Sequence, residues 1–161
     1  MEGIGTKAFS AETINSQKQQ GITEIIISFD GNFYKNLFCG FGTAIYENGS
    51  IYVGNWKNNE RNGCGRLNFT QNYYYFGNFI EGSFHGRGTL KNVIEDNDDI
   101  IFNNNDNNFQ VTVTDIIQNY GGEFIGDFKH GKANGVGILT IGLIHFKGRY
   151  INDKLTQTFS E

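Results

Sequence analysis

A recurrence constrains this chain more than any other feature. Tyr52-Val53-Gly54-Asn55-Trp56 is followed, seven residues after Trp56, by Gly63-Cys64-Gly65-Arg66-Leu67, and Phe29 and Tyr75 open the same pattern 23 residues to either side. A fixed period of this length marks a repeat architecture, in which a unit buries its apolar face only by stacking on its neighbours.

Within a unit the pattern reads as two strands. Residues two apart in a strand share a face, so Tyr52, Gly54 and Trp56 point one way, and Gly63, Gly65 and Leu67 do the same on the next strand. Residues 57–62 are polar, and Asn62-Gly63 is a turn signal. An antiparallel hairpin then sets Trp56 opposite Gly63, Gly54 opposite Gly65 and Tyr52 opposite Leu67. Glycine weakens a strand interior unless something needs the space. Here it leaves room for an aromatic ring to lie flat across the sheet.

Taken in order, residues 1–21 are polar and aperiodic, and are expected to form a flexible arm. A short helix over 11–20 capped by Ser10 is the local signal there, and docking is the arm's alternative role. Residues 22–161 read as one repeat domain. Its units span 29–46 (Phe29, Gly31, Phe33; Gly40, Gly42, Ala44), 52–69, 75–92 (Tyr75, Gly77, Phe79; Gly86, Gly88, Leu90) and 124–141 (Phe124, Gly126, Phe128; Gly135, Gly137, Leu139). A terminal half-unit, 146–161, opens with Phe146, Gly148 and Tyr150, and its second strand is expected over 157–161. The stretch 91–120 is rich in Asp and Asn. Its spacing suggests a degenerate hairpin at 100–115, with Ile100, Phe102 and Asn104 on one strand and Val111, Val113 and Asp115 on the other; the alternative is a hairpin projecting from the sheet. Across the inter-unit turn at 70–74 the expected register places Leu67 opposite Gly77 and Gly65 opposite Phe79.

Composition excludes several classes. A length of 161 residues suits one domain, and a net charge of −4 disfavours nucleic-acid binding, which needs clustered cations. No apolar run is long enough for a membrane helix, and the N-terminus lacks a signal-peptide core. Cys39 and Cys64 have no metal-ligand spacing and read as reduced thiols of a cytoplasmic protein. His85, His130 and His145 stand in no nucleophile–base arrangement. The acidic cluster Glu95, Asp96, Asp98 and Asp99 lacks the calcium-loop pattern. Each Gly-x-Gly leads into a strand and not into a helix, so none is a phosphate loop. No enzyme, cofactor, metal or small-molecule substrate is expected.

The motif aromatic-x-Gly-x-aromatic, polar turn, Gly-x-Gly-x-Leu resembles the MORN-repeat family. Tyr52, Gly54, Trp56, Gly63, Gly65 and Leu67 carry the match, with their counterparts from Phe29, Tyr75 and Phe124. The resemblance implies an all-β fold: an elongated, twisted single antiparallel sheet of consecutive β-hairpins. It also implies scaffolding work, as in members found at radial spokes and other ciliary structures, at membrane junctions, in cortical cytoskeleton and as peptide-binding grooves. The glycine-less stretch 91–120 departs from the pattern and interrupts any groove there.

Two faces are candidates for a partner. Phe33, Tyr52, Trp56, Tyr75, Phe79 and Phe128 are expected to form the core, and where curvature leaves a groove they also meet a partner's peptide or helix. On the opposite face Val53, Phe76 and Ile125 share one repeat position, flanked by Asp30 and Lys147; Phe41, Cys64 and Val136 share another, with Arg87 interrupting. A solvated face would be polar there. The favoured expectation is a non-enzymatic scaffold or protein-interaction module in a cytoskeletal or ciliary (axonemal) assembly. The alternative, a membrane-surface module binding acidic phospholipid head groups, requires a polybasic cluster, whereas Lys and Arg are spread thinly.

Overall fold

The computed structural model describes residues 3–94 and 112–159. Among them lie strands β1 (Gly3–Ala8), β2 (Ile26–Tyr34), β3 (Leu37–Tyr46), β4 (Ile51–Lys57), β5 (Glu60–Asn68), β6 (Tyr73–Ile80) and β7 (Ser83–Asn92), followed by β8 (Gly122–Lys129), β9 (Lys132–Ile141), β10 (Ile144–Ile151) and β11 (Lys154–Thr158). Helix α1 (Ala11–Gln19) follows β1, and α2 (Val113–Tyr120) precedes β8. The strands form one open antiparallel sheet in chain order. The all-β single sheet of consecutive hairpins is therefore the fold.

The turn within each unit closes through two residues with positive φ: Lys35-Asn36 (49°, 65°), Asn58-Asn59 (51°, 68°), Glu81-Gly82 (47°, 76°), His130-Gly131 (50°, 79°) and Asn152-Asp153 (49°, 68°). Their twist matches that of the flanking strands. The turn thus lies at Asn58-Asn59, four residues before the expected Asn62-Gly63. Trp56 consequently pairs with Arg61, not Gly63, while Gly54↔Gly65 and Tyr52↔Leu67 hold. Between those pairs β5 bulges, and Gly63, at φ 94°, supplies the left-handed residue the bulge needs. Asn55 fills the bulge, donating from Nδ2 to the Cys64 carbonyl at 3.0 Å.

Between units the register differs from expectation by two residues. Gly65 pairs with Gly77, Leu67 with Tyr75 and Gly63 with Phe79. The shift is even, so every side chain keeps its expected face. Its consequence is an unbroken row of glycines across the sheet: Gly31, Gly42, Gly54, Gly65, Gly77, Gly88, Gly126, Gly137 and Gly148. The first aromatic of each unit lies on this row. Tyr52 covers Gly54 and Gly65, Tyr75 covers Gly77 and Gly88, Phe124 covers Gly126 and Gly137, and Phe29 covers Gly31 and Gly42; a Cβ on any of these glycines would run into the ring.

The rings also meet one another edge to face along the sheet. Tyr52 contacts Trp56 of its own unit at 5.1 Å and Phe79 of the next at 5.0 Å; Tyr75 contacts Phe79 at 5.2 Å and Phe128 at 5.1 Å; Phe124 contacts Phe128 at 5.3 Å and Tyr150 at 4.8 Å. Ring quadrupoles favour this geometry. Polar ends are satisfied: Tyr52 and Tyr75 donate to the Asn55 and Asn78 carbonyls, and Trp56 Nε1 to the Gly42 carbonyl.

Other expectations need correction. Strand β7 pairs directly with β8, joining unit 75–92 to unit 124–141 with nothing inserted between them in the sheet. Ile100, Phe102, Asn104 and Val111 lie outside the described residues. Val113 and Asp115, expected on a strand, belong to α2, because Thr112 and Asp115 form a capping box and Val113, Ile116 and Ile117 make a buried helical stripe. This helix roofs part of the aromatic face, its Val113, Ile116 and Ile117 joining the same core cluster. Val113 N donates to the Asp153 carbonyl at 2.8 Å and Thr114 Oγ1 to Asp153 Oδ2 at 2.6 Å, tying α2 to the last hairpin turn. Strand β11 begins at Lys154, three residues before the expected second strand. Residues 3–19, expected in a flexible arm, carry β1, paired with β2, and α1, whose cap is Ser10 as expected.

Two stability measurements check this packing. Gly65→Ala should cost about 2 kcal/mol or more in urea unfolding, as overpacking does. In a Tyr52→Leu background the same change should cost clearly less, because the ring it strikes is gone.

Candidate functional site

The two faces differ in what they leave to a partner. On the aromatic face Tyr52, Trp56, Tyr75, Phe79 and Phe128 are buried, and Phe33 is half-buried. Five of the six expected contact residues there serve as core, and their rings present almost no surface.

The first core-facing residue of each second strand varies: Phe38, Arg61, Phe84, Ala133 and Leu155. Phe38 stacks on Phe29 at 3.9 Å and Phe84 on Tyr75 at 3.8 Å. Arg61 takes this place in its unit and is buried. A buried guanidinium needs its charge and donors met. Glu24 accepts from Nη2 at 2.8 Å, the Gly82 carbonyl at 2.7 Å, and Tyr46 Oη accepts from Nη1 at 3.4 Å. Glu24 is mostly exposed, so this bridge anchors the segment before β2 and is not a reactive pair. The sequence reading missed Arg61 because it placed the residue in a solvated turn.

The opposite face carries the apolar stripe. Val53 is half-buried, whereas Phe76 is 53% and Ile125 42% exposed. The register aligns Asp30, Thr43, Val53, Arg66, Phe76, Thr89, Ile125, Ile138 and Lys147 in one row. Ile138, paired with Ile125, extends the expected set. Phe41, at 58% exposure, and Val136 belong to the adjoining row with exposed Cys64. Three cations on this face are engaged locally. Arg66 lies 3.9 Å from the Tyr74 ring centre, Lys91 bridges Glu123 at 3.2 Å, and Arg87 lies 3.9 Å from Asp127.

The histidines form no catalytic arrangement. His85 and His130 approach ring to ring at 5.9 Å on neighbouring hairpins, and His145 shares a 3.0 Å hydrogen bond with Thr140. Among the described residues no group of three or more His, Cys, Asp or Glu is placed to hold a metal ion. No helix there is long and apolar enough to cross a membrane.

Burial has a pH consequence. It pushes the Tyr46 hydroxyl up to about 12, despite Arg61 nearby, and that of Tyr150 up to about 12; Tyr52 and Tyr75 are raised further for the same reason. The neutral phenols therefore stabilise the fold fully below the ordinary tyrosine range, and this stability is lost as pH rises through 12. A spectrophotometric titration should show these phenols ionising together with unfolding. A second test concerns Arg61. In urea melts Arg61→Phe should stay within about 1 kcal/mol of the parent, the ring stacking as Phe38 and Phe84 do, while Arg61→Ala should lose about 2–3 kcal/mol.

Comparison with known proteins agrees with the geometry. The MORN repeat family matches residues 29–51, 52–71, 75–92 and 124–141, four of the hairpins described above. No curated protein matches the chain. MORN repeats are structural modules that generally mediate protein or membrane interactions. The chain belongs to the MORN-repeat family.

Proposed function

We infer that this chain is a non-enzymatic scaffold or protein-interaction module whose outer face, around Phe76, Ile125, Ile138 and Phe41, meets a protein partner. The observation that carries this reading is the alignment of these exposed apolar side chains in adjacent rows of a sheet whose other face is already filled. Contiguous exposed apolar surface is a mark of protein contact. The reading further takes the chain as a cytoplasmic subunit of a cytoskeletal or ciliary (axonemal) assembly. Its support here is the resemblance to members at such structures, and the rigid spacing that a continuous hairpin array gives. Lipid head groups fit the surface less well, because Arg87 and Lys91 face Asp127 and Glu123 across strands.

The test is native purification beside a double variant. Phe76→Thr with Ile125→Thr keeps β-propensity at two exposed sites and should change stability by less than about 1 kcal/mol. The parent should emerge in a stoichiometric complex, and the variant should emerge folded and alone. A parent that is monomeric and unpartnered at high concentration contradicts the reading. Salt-sensitive sedimentation with anionic but not neutral vesicles would replace it with the lipid one.

A further inference from the structure

Strand β1 belongs to the repeat pattern although no repeat was read there. Gly3 pairs with Phe33, Gly5 with Gly31 and Lys7 with Phe29. Gly63, Gly65 and Leu67 pair in the same way with Phe79, Gly77 and Tyr75. Gly3 even has the positive φ (148°) of the bulge glycines such as Gly63. Gly3-Ile4-Gly5-Thr6-Lys7 thus matches the second strand of a unit, and among the described residues no first strand lies beside it.

Two observations show what that strand would contribute. In the complete units Gly42, Gly65, Gly88 and Gly137 each lie under the ring of the strand before them, whereas a Cβ on Gly5 would meet nothing within 4 Å. Phe33 is half-buried, yet its counterparts Trp56, Phe79, Phe128 and Tyr150 are 4%, 1%, 3% and 1% exposed. Those four each touch the first aromatic of the preceding unit, whereas the rings that Phe33 meets among the described residues are Phe29 and Phe38 of its own unit. One ring is missing over both Gly5 and Phe33. In its place is an open groove of about 470 Å³, walled by Gly3, Gly5, Lys7, Phe33 and Asn36. The outer edge of β1 offers backbone groups for a further strand.

We propose that the β1 edge binds, by strand addition, an extended segment of another protein with the pattern aromatic-x-Gly-x-aromatic. The first aromatic lies over Gly5 against Phe33, and the glycine faces Gly5 as Gly54 faces Gly65. Backbone hydrogen bonds supply affinity and the ring pocket supplies specificity. A second folded copy cannot provide this strand, because β2, β4, β6, β8 and β10 are each paired on both sides. The proposal rests on the reading of the chain as an interaction module, but not on its outer face.

The probe is a fluorescent peptide with the sequence of residues 50–57, Ser-Ile-Tyr-Val-Gly-Asn-Trp-Lys, added to the full chain. Gly5→Val has no clash in the free protein and should melt like the parent, yet it fills the ring site. Saturable binding is expected, with new hydrogen-exchange protection in β1. It should weaken by about tenfold or more with Gly5→Val, or with a peptide carrying Gly54→Val. Phe76→Thr with Ile125→Thr should bind the peptide unchanged. Absence of saturable binding, equal binding by Gly5→Val, protection at β11 or the outer face, or a dimer through β1 that excludes the peptide each overturns the proposal. None of these results bears on the outer-face partner.

Discussion

Everything in this sheet depends on an aromatic ring lying flat on a pair of glycines. A single sheet has no opposing layer to bury its apolar side chains, so the layer must come from the sheet's own residues. Tyr52, Tyr75, Phe124 and Phe29 supply it by folding back over the glycine row, and the second aromatic of each unit closes the gap edge-on. The core is then one ring thick and continuous from unit to unit. Turns reinforce it: Gly82 N bonds the Arg61 carbonyl and Gly131 N the Phe84 carbonyl, linking each hairpin to the one before. Units 75–92 and 124–141 join without a break in this arrangement, because β7 and β8 satisfy the same register as any other neighbouring units.

The same constraint decides where function can lie. Five of the six aromatic-face candidates make the core and present almost no surface. Helix α2 covers more of that face around Ile117 and Asp153. What remains is the outer face and the sheet's edges. The outer face has exposed Phe76, Ile125 and Ile138 in line, and the β1 edge has a glycine with no ring above it.

How much of this was legible in the sequence follows from what the repeat encodes. Side-chain parity has period two, so faces were assigned well; Val53, Phe76 and Ile125 share a row as their spacing indicated. Register was less legible. The two-residue turn at Asn58-Asn59 and the bulge at Gly63 absorb residues that a straight hairpin would pair, which moved Trp56 from Gly63 to Arg61. Gly-x-Gly therefore encodes two things: its first glycine is for backbone conformation and its second for ring clearance. Arg61 was hidden by its charge, since a cation in a polar run signals solvent. The capping box at Thr112 and Asp115 was present in the sequence and was overridden by the expectation of another hairpin. Gly3-x-Gly5 was masked by lacking an aromatic strand before it.

The most direct test of the central claim is the proton NMR shift of the row glycines. Rings stacked flat on Gly54, Gly65, Gly77, Gly88, Gly126 and Gly137 should move their α-protons well upfield, while Gly5, with no ring above it, stays near the ordinary glycine position. Row glycines with unshifted α-protons in the folded protein would contradict the account.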